Sequence, residues 1–257
     1  MFLRGYIKDY LLIMFKKIIG LSLILLALAT TTEGTCGSVI CIHGFLRTYR
    51  CMRPMGRSLQ KCGFDVCLWD YPSRKRSIQG HARNLLCILK AKASEKPGEP
   101  IHFVCHSLGA LILRATLNMP GCPEEAKIGR AVLLAPPNRG SSFGQSVKDV
   151  LPAKWILGSG TGHQLINFDE CDIIRCLGNY PSTMDVMVIA GCKGNQFLFN
   201  KPNDGILTVE ETYLNTPHYF YVLNEGHGKL MTSCDTIMLT RHFLLSYKSC
   251  CDKTSCP

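Results

Sequence analysis

The stretch Ile101-His102-Phe103-Val104-Cys105-His106-Ser107-Leu108-Gly109-Ala110 decides how the chain is read. Its first four residues form an apolar run of strand length, and Gly109 to Leu117 has the composition of a helix. A strand, a sharp turn carrying a serine, and a helix together make a nucleophile elbow. Such a turn exposes a hydroxyl at the strand's C-terminal edge and aims the helix N-terminus at a developing oxyanion. Ser107 is therefore the candidate nucleophile. The usual elbow reads G-x-S-x-G, with small residues where the backbone passes close to its neighbours. Here Cys105 stands in the first glycine position.

Working outward, the strand-like run Ser38-Val39-Ile40-Cys41-Ile42 ends in His43-Gly44-Phe45-Leu46. In acyl-transfer enzymes of this architecture one oxyanion N–H comes from the residue after the nucleophile and another from a loop after an early strand. The backbone N–H groups of Leu108 and Phe45 fill those positions. Downstream, the same architecture uses the chain order Ser, acid, His. Asn203-Asp204-Gly205 lies in a turn-rich stretch, and Glu225-Gly226-His227-Gly228 follows the strand-like run Tyr219 to Leu223. The expected roles are Ser107 as nucleophile, His227 as general base and acid, and Asp204 as the group that orients the imidazole. His218, at a strand start, and His242, in the amphipathic segment Thr236 to Tyr247, read as structural. Asp169 and Asp172 lie in a long insertion, and Asp185 stands at the N-terminal end of an apolar run.

These residues resemble the bacterial lipase and esterase-like members of the α/β-hydrolase superfamily. The likeness covers about residues 38 to 246 and rests on His43-Gly44-Phe45, the elbow, Leu134-Ala135-Pro136-Pro137-Asn138-Arg139-Gly140-Ser141, Asn203-Asp204-Gly205 and His227 followed by Leu230-Met231. It implies a serine triad at Ser107, Asp204 and His227 and carboxylic ester hydrolysis without a cofactor. Cys105 is the departure that puts elbow geometry in question.

The alternation of strands (Phe64 to Trp69, Ile101 to Val104, Ala131 to Leu134) with helices (Ile78 to Ala93, Ala110 to Leu117) predicts an α/β class. The expected fold is an α/β-hydrolase with a mainly parallel sheet flanked by helices and a short cap or lid insertion at about 136–181. Helix 78–93 is expected to bury Leu85, Leu86, Ile88 and Leu89. Trp155, Ile156 and Leu157, among glycines at 158, 160 and 162, suggest a hinged lid or a rigid excursion.

The N-terminus reads as a signal peptide over 1–29, with Lys16-Lys17, the apolar run Ile18 to Leu26 and Ala27-Leu28-Ala29; Met14 offers a more typical start than Met1. An uncleaved anchor is the alternative. Its removal lowers the formal charge from +10 to about +7 and leaves residues 30–249 as one hydrolase domain and 250–257 as a cysteine-rich tail. The basic balance fits anionic substrates or membrane surfaces, although solvated surface lysines are the commoner explanation, and no nucleic-acid motif accompanies it. All 15 cysteines follow residue 35, which with an export signal points to an oxidising compartment (periplasm, envelope or exterior) and to some disulfides. Cys250, Cys251 and Cys256 are candidates for a free thiol or for disulfide-linked association. No C-x-x-C pair suggests zinc, and Cys41, Cys67, Cys87 and Cys105 read as small core residues. The leading expectation is an exported serine hydrolase of carboxylic or lipid esters. An acyltransferase or thioesterase with the same triad, a peptidase, and a catalytically decayed disulfide-linked envelope protein are the alternatives.

Overall fold

Six short runs rich in Val, Ile, Leu and aromatic residues pair in the computed structural model as one all-parallel sheet. The structure describes residues 36–142, 161, 164, 176–195 and 199–251, within the compact unit Cys36–Pro257. The strands are β1 (Ser38–Ile42), β2 (Asp65–Trp69), β3 (Ile101–His106), β4 (Arg130–Leu134), β5 (Asp185–Gly191) and β6 (Tyr219–Leu223), in the spatial order β2-β1-β3-β4-β5-β6. Parallel neighbours need crossovers, and helices supply those that link the first four strands. The helices are α1 (Arg53–Gln60), α2 (Ile78–Glu95), α3 (Leu108–Leu117) and α4 (Cys234–Cys251).

Because side chains alternate across a strand, each strand feeds two cores. Ile40, Ile42, Phe103, Cys105, Leu133 and Val188 join residues of α2 and α3 on one side. Val39, Cys41, Val104, Val132, Met187 and Ile189 join Met55 and Leu59 of α1 and Phe243 and Leu244 of α4 on the other. The central strands β1, β3 and β4 are buried along their whole length. Continuous apolar runs are what a sheet covered on both faces requires.

The elements foreseen from periodicity are present with modest shifts. β3 runs two residues further, to His106, and α3 begins two residues earlier, at Leu108, so that a single residue separates them. Helix α1 was not foreseen; Pro in its first turn, where no intrahelical N–H acceptor is lost, is compatible with a helix start. In α2 the buried stripe is Ile78, His81, Ala82, Leu85, Leu89 and Ala93, while Leu86 and Ile88 are only half-buried at its margins. Ser77 caps that helix by accepting from the Gly80 N–H at 3.1 Å.

Among the described residues Cys41, Cys51, Cys62, Cys67, Cys87, Cys105, Cys122, Cys176, Cys192 and Cys234 are free thiols. Cys41 and Cys105 are fully buried in opposite cores, on opposite faces of the sheet, as expected of small apolar side chains. Cys87, expected in the core, is instead exposed on α2. Residues 1–35, most of the insertion including Trp155, and the tail residues 252–257 lie outside the described residues, as do the readings that fell on them.

Candidate active site

The active-site candidate is built where β1 and β3 end, between crossovers that leave in opposite directions, β1 having β2 on one side and β3 on the other. In open α/β sheets this switch point opens a crevice outside the strands' C-terminal ends. Ser107 occupies it with φ +51° and ψ −119°, a conformation an L-residue adopts only under constraint. Its N–H donates to Leu134 O of β4 at 2.9 Å, and its carbonyl accepts from Ala110 N at 3.0 Å. The strain, on the order of 1–3 kcal/mol, is held by the strand before and the helix after. Gly109 permits the close approach: a Cβ there would lie 2.8 Å from Ile42 O and 2.9 Å from His43 O.

Cys105 does not disturb this turn. It is an ordinary strand residue, in register with Ile42 of β1 and Leu133 of β4, and its thiol is fully buried, which pushes its pKa well above the usual value. The elbow geometry therefore forms without a glycine at that position.

The His43-Gly44-Phe45 turn lies against the elbow. A Cβ on Gly44 would stand 3.2 Å from Ser107 Cβ. His43 is wholly buried and stacks on Tyr71 at a centroid distance of 4.2 Å; its Nδ1 pairs with Gly44 O at 2.9 Å and its carbonyl accepts from the Tyr71 hydroxyl at 2.8 Å. His43 thus anchors the turn that carries Phe45, and burial lowers its pKa, favouring the neutral ring. Leu108, the first helical residue, has no intrahelical acceptor for its N–H.

Asp204 and His227 come from loops that follow β5 and β6. Asn203 Oδ1 accepts from Gly205 N at 2.9 Å, and Gly205 takes φ +96°, closing a tight turn that only glycine adopts freely. Asp204, whose side chain is 1% exposed, accepts at Oδ1 from Ile206 N and Leu207 N at 2.9 and 2.8 Å. Its Oδ2 is 2.7 Å from His227 Nδ1, and its main-chain O accepts from His227 N at 2.9 Å. Gly191, at the end of β5, makes room for both loops, since a Cβ there would sit 2.4 Å from Glu225 O and 2.8 Å from Asp204 Cβ. Both Asp204 oxygens are thus engaged as acceptors, and His227 Nδ1 is the ring nitrogen that donates to the carboxylate.

His106 joins the two halves. Its Nε2 donates to His227 O at 3.0 Å and its ring packs 4.7 Å from the His227 ring, directly beside the serine in sequence. Complete burial, and secondarily the neighbouring His227, lower its pKa well below the usual imidazole value, so it is a neutral donor. Sequence reading passed over His106 because the variable positions of the elbow carry no residue requirement; its adjacency to the serine was the available signal.

The rival residues are elsewhere. His218 packs edge-on to Tyr213 and Phe220, with Nδ1 on Thr216 O at 2.8 Å, and His242 is exposed on α4. Asp185 pairs with Arg130 at 3.0 Å at the N-terminal end of the sheet. Asp169 and Asp172 lie outside the described residues.

Residues 34–159, from before β1 to beyond the elbow, match the family described as serine aminopeptidase, S33. A comparison with curated proteins gives no match. Among solved structures, the chain is similar to a Bacillus licheniformis lipase in its mature form at 17% identity and TM-score 0.67, covering 81% of this chain and 91% of that one. It is also similar to a metagenomic carboxyl esterase, at 15% identity and TM-score 0.63 over 85% and 77% of the two chains. Phospholipase PlaB from Legionella pneumophila aligns at 19% identity and TM-score 0.60, over 83% of this chain but only 58% of its own. With its parallel sheet, its serine on a strained strand-to-helix turn and these likenesses, the chain has the α/β-hydrolase fold.

Proposed function

We propose that the protein is a serine hydrolase that cleaves carboxylic esters, lipid esters among them, through an acyl-enzyme intermediate. The observation that carries this reading is the 2.7 Å contact of His227 Nδ1 with the buried carboxylate of Asp204, on the same side of the sheet as the strained Ser107 turn. Nε2 of His227 takes the Ser107 proton as Oγ attacks the ester carbonyl. The N–H groups of Phe45 and Leu108 receive the oxyanion. Collapse of the tetrahedral species releases the alcohol, which takes its proton from His227, and water then repeats the sequence to free the acid. Asp204 orients the ring and stabilises the imidazolium. The lipase and esterase among the similar structures support the choice of ester as substrate.

Export completes the proposal, supported by the basic, apolar and A-x-A pattern of residues 1–29. In an oxidising compartment the tail cysteines would be free to link chains.

The test is turnover of chromogenic acetate, butyrate and palmitate esters by the mature protein, beside Ser107→Ala and labelling with a fluorophosphonate. Ester turnover and labelling, both abolished in Ser107→Ala, support the proposal. The family description favours a second reading, a peptidase, so an aminoacyl nitroanilide belongs in the same panel. Cleavage of that amide with no ester turnover selects the peptidase. No reaction on any substrate, with no labelling, leaves the decayed reading.

A further inference from the structure

A groove of about 470 Å³ opens beside the oxyanion turn, lined by Leu46 and Arg47 from the loop after β1 and by Asp70, Ser73, Arg74 and Lys75 from the loop after β2. Three of its side chains are cationic and one is a carboxylate. That carboxylate is already engaged: Asp70 Oδ1 accepts from Tyr49 N at 3.1 Å and lies 3.2 Å from His43 Nε2. Among the described residues Arg47 and Lys75 form no ion pair.

Arg47 ties the groove to the catalytic centre. Its Nη2 lies 3.1 Å from where a Cβ on Gly228 would stand, and Gly228 follows His227 directly. The same charge is felt by buried His106. Two residues before Arg47 is Phe45, the proposed oxyanion donor. The guanidinium of a residue two positions past the oxyanion turn thus packs against the loop that carries the histidine. The loop is fastened there by Leu46 N donating to the Ser73 hydroxyl at 3.1 Å and by Arg47 N donating to Gly44 O at 3.3 Å. Leu46, 48% exposed, adds an apolar edge for the chain that links the two groups.

Resting on the ester-hydrolase reading, we infer that this groove binds an anionic group, carboxylate or phosphate, carried by the ester substrate, with Arg47 as its inner contact and Arg74 and Lys75 as its outer wall. Arg47 presents a planar fork of donors suited to either oxyanion. The anion is carried by a soluble ester or by a lipid headgroup, and the chemistry of recognition is the same.

The experiment compares kcat/KM for p-nitrophenyl hydrogen glutarate and its uncharged counterpart p-nitrophenyl valerate. In parallel, phosphatidylglycerol vesicles are compared with phosphatidylcholine vesicles. A charge-assisted contact predicts preference for the anion of about tenfold. That preference should collapse toward unity at about 1 M NaCl, where the Debye length is about 3 Å. It should fall in the same way in Arg47→Gln, and partly in Arg74→Gln/Lys75→Gln. Preference among soluble esters identifies a small anionic substrate, and preference confined to vesicles identifies a lipid headgroup. Turnover of the neutral esters with no anionic preference in either pair overturns the inference and leaves the ester-hydrolase reading intact. If no ester is turned over, that reading fails, and the Kd of Ser107→Ala for glutarate ester against valerate ester decides the inference. Equal Kd values refute it; tighter binding of the glutarate ester, lost in Ser107→Ala/Arg47→Gln, sustains the site.

Discussion

Replacing Asp204 with Asn tests the catalytic reading where the structure is most specific. The aspartate side chain is 1% exposed and all its contacts are donors: Ile206 N and Leu207 N on Oδ1 and His227 Nδ1 on Oδ2. An asparagine keeps one acceptor and gains an NH2. If its oxygen stays on Ile206 and Leu207, the NH2 faces His227 Nδ1, which must give up its proton to accept; the ring then presents Nε2–H to Ser107 and has no base to offer. If the amide turns, the NH2 meets two main-chain N–H groups, and a buried clash of donors costs about 1–3 kcal/mol of stability. The first arrangement is the cheaper one. Loss of the tautomer and of the charge that stabilises imidazolium predicts a fall in kcat of about 10^4, or about 5.4 kcal/mol at 1.36 kcal/mol per decade, by analogy with the same change in serine proteases. The assay is butyrate ester turnover from pH 6 to 10, with urea unfolding of each variant to confirm the fold. A kcat within about tenfold of the parent, in a folded protein, would refute the assignment of Asp204 as the orienting acid.

Three further outcomes follow from the same structure. Gly109→Val places a side chain 2.8 Å from Ile42 O and 2.9 Å from His43 O, both rigid backbone, so stability should drop by about 1–3 kcal/mol or more. The thermal midpoint should fall about 2–4 °C for each kcal/mol, and an unchanged midpoint would mean that the elbow packs differently. Cys105→Gly, which restores the usual elbow glycine, removes a fully buried side chain from the core between β1 and β4 and loosens a strand, costing about 1–3 kcal/mol while kcat stays within a few-fold. A large gain in kcat would show that Cys105 does impair the turn. Acid should destabilise the fold, because burial lowers the pKa of His102 and of His81 from 6.5 to about 4 and holds that of His106 well below the usual imidazole value. The unfolded chain then binds more protons below pH 6.5, so stability is fully present above that pH and is lost as pH falls toward 4. For His102 alone the loss is about 3 kcal/mol. Urea midpoints measured from pH 7 to pH 4 check the slope, and a flat profile would contradict neutral burial of these rings.

The local sequence by itself determined the strands of the central sheet and the helices α2 and α3, though not α1, and it marked the residues of the candidate site. Apolar runs such as Ser38–Ile42 and Arg130–Leu134 have only one environment that satisfies them, the interior of a covered sheet, so their state is legible without neighbours. Ser107, Asp204 and His227 were visible because each stands where a loop leaves a strand. What the tertiary structure decided were the distances between elements remote in sequence. Twenty-three residues separate Asp204 from His227, and 121 separate His106 from His227; no local pattern encodes contacts of that span. The same holds for Cys105, a departure from the usual elbow motif that the pairing of β3 shows to be an ordinary strand residue. It holds for Arg47 too, one arginine among many in the sequence, whose guanidinium reaches Gly228 only because β1 and β6 are carried in one sheet. Periodicity reports the side a residue faces; the partner it meets there depends on how the whole chain closes its two cores.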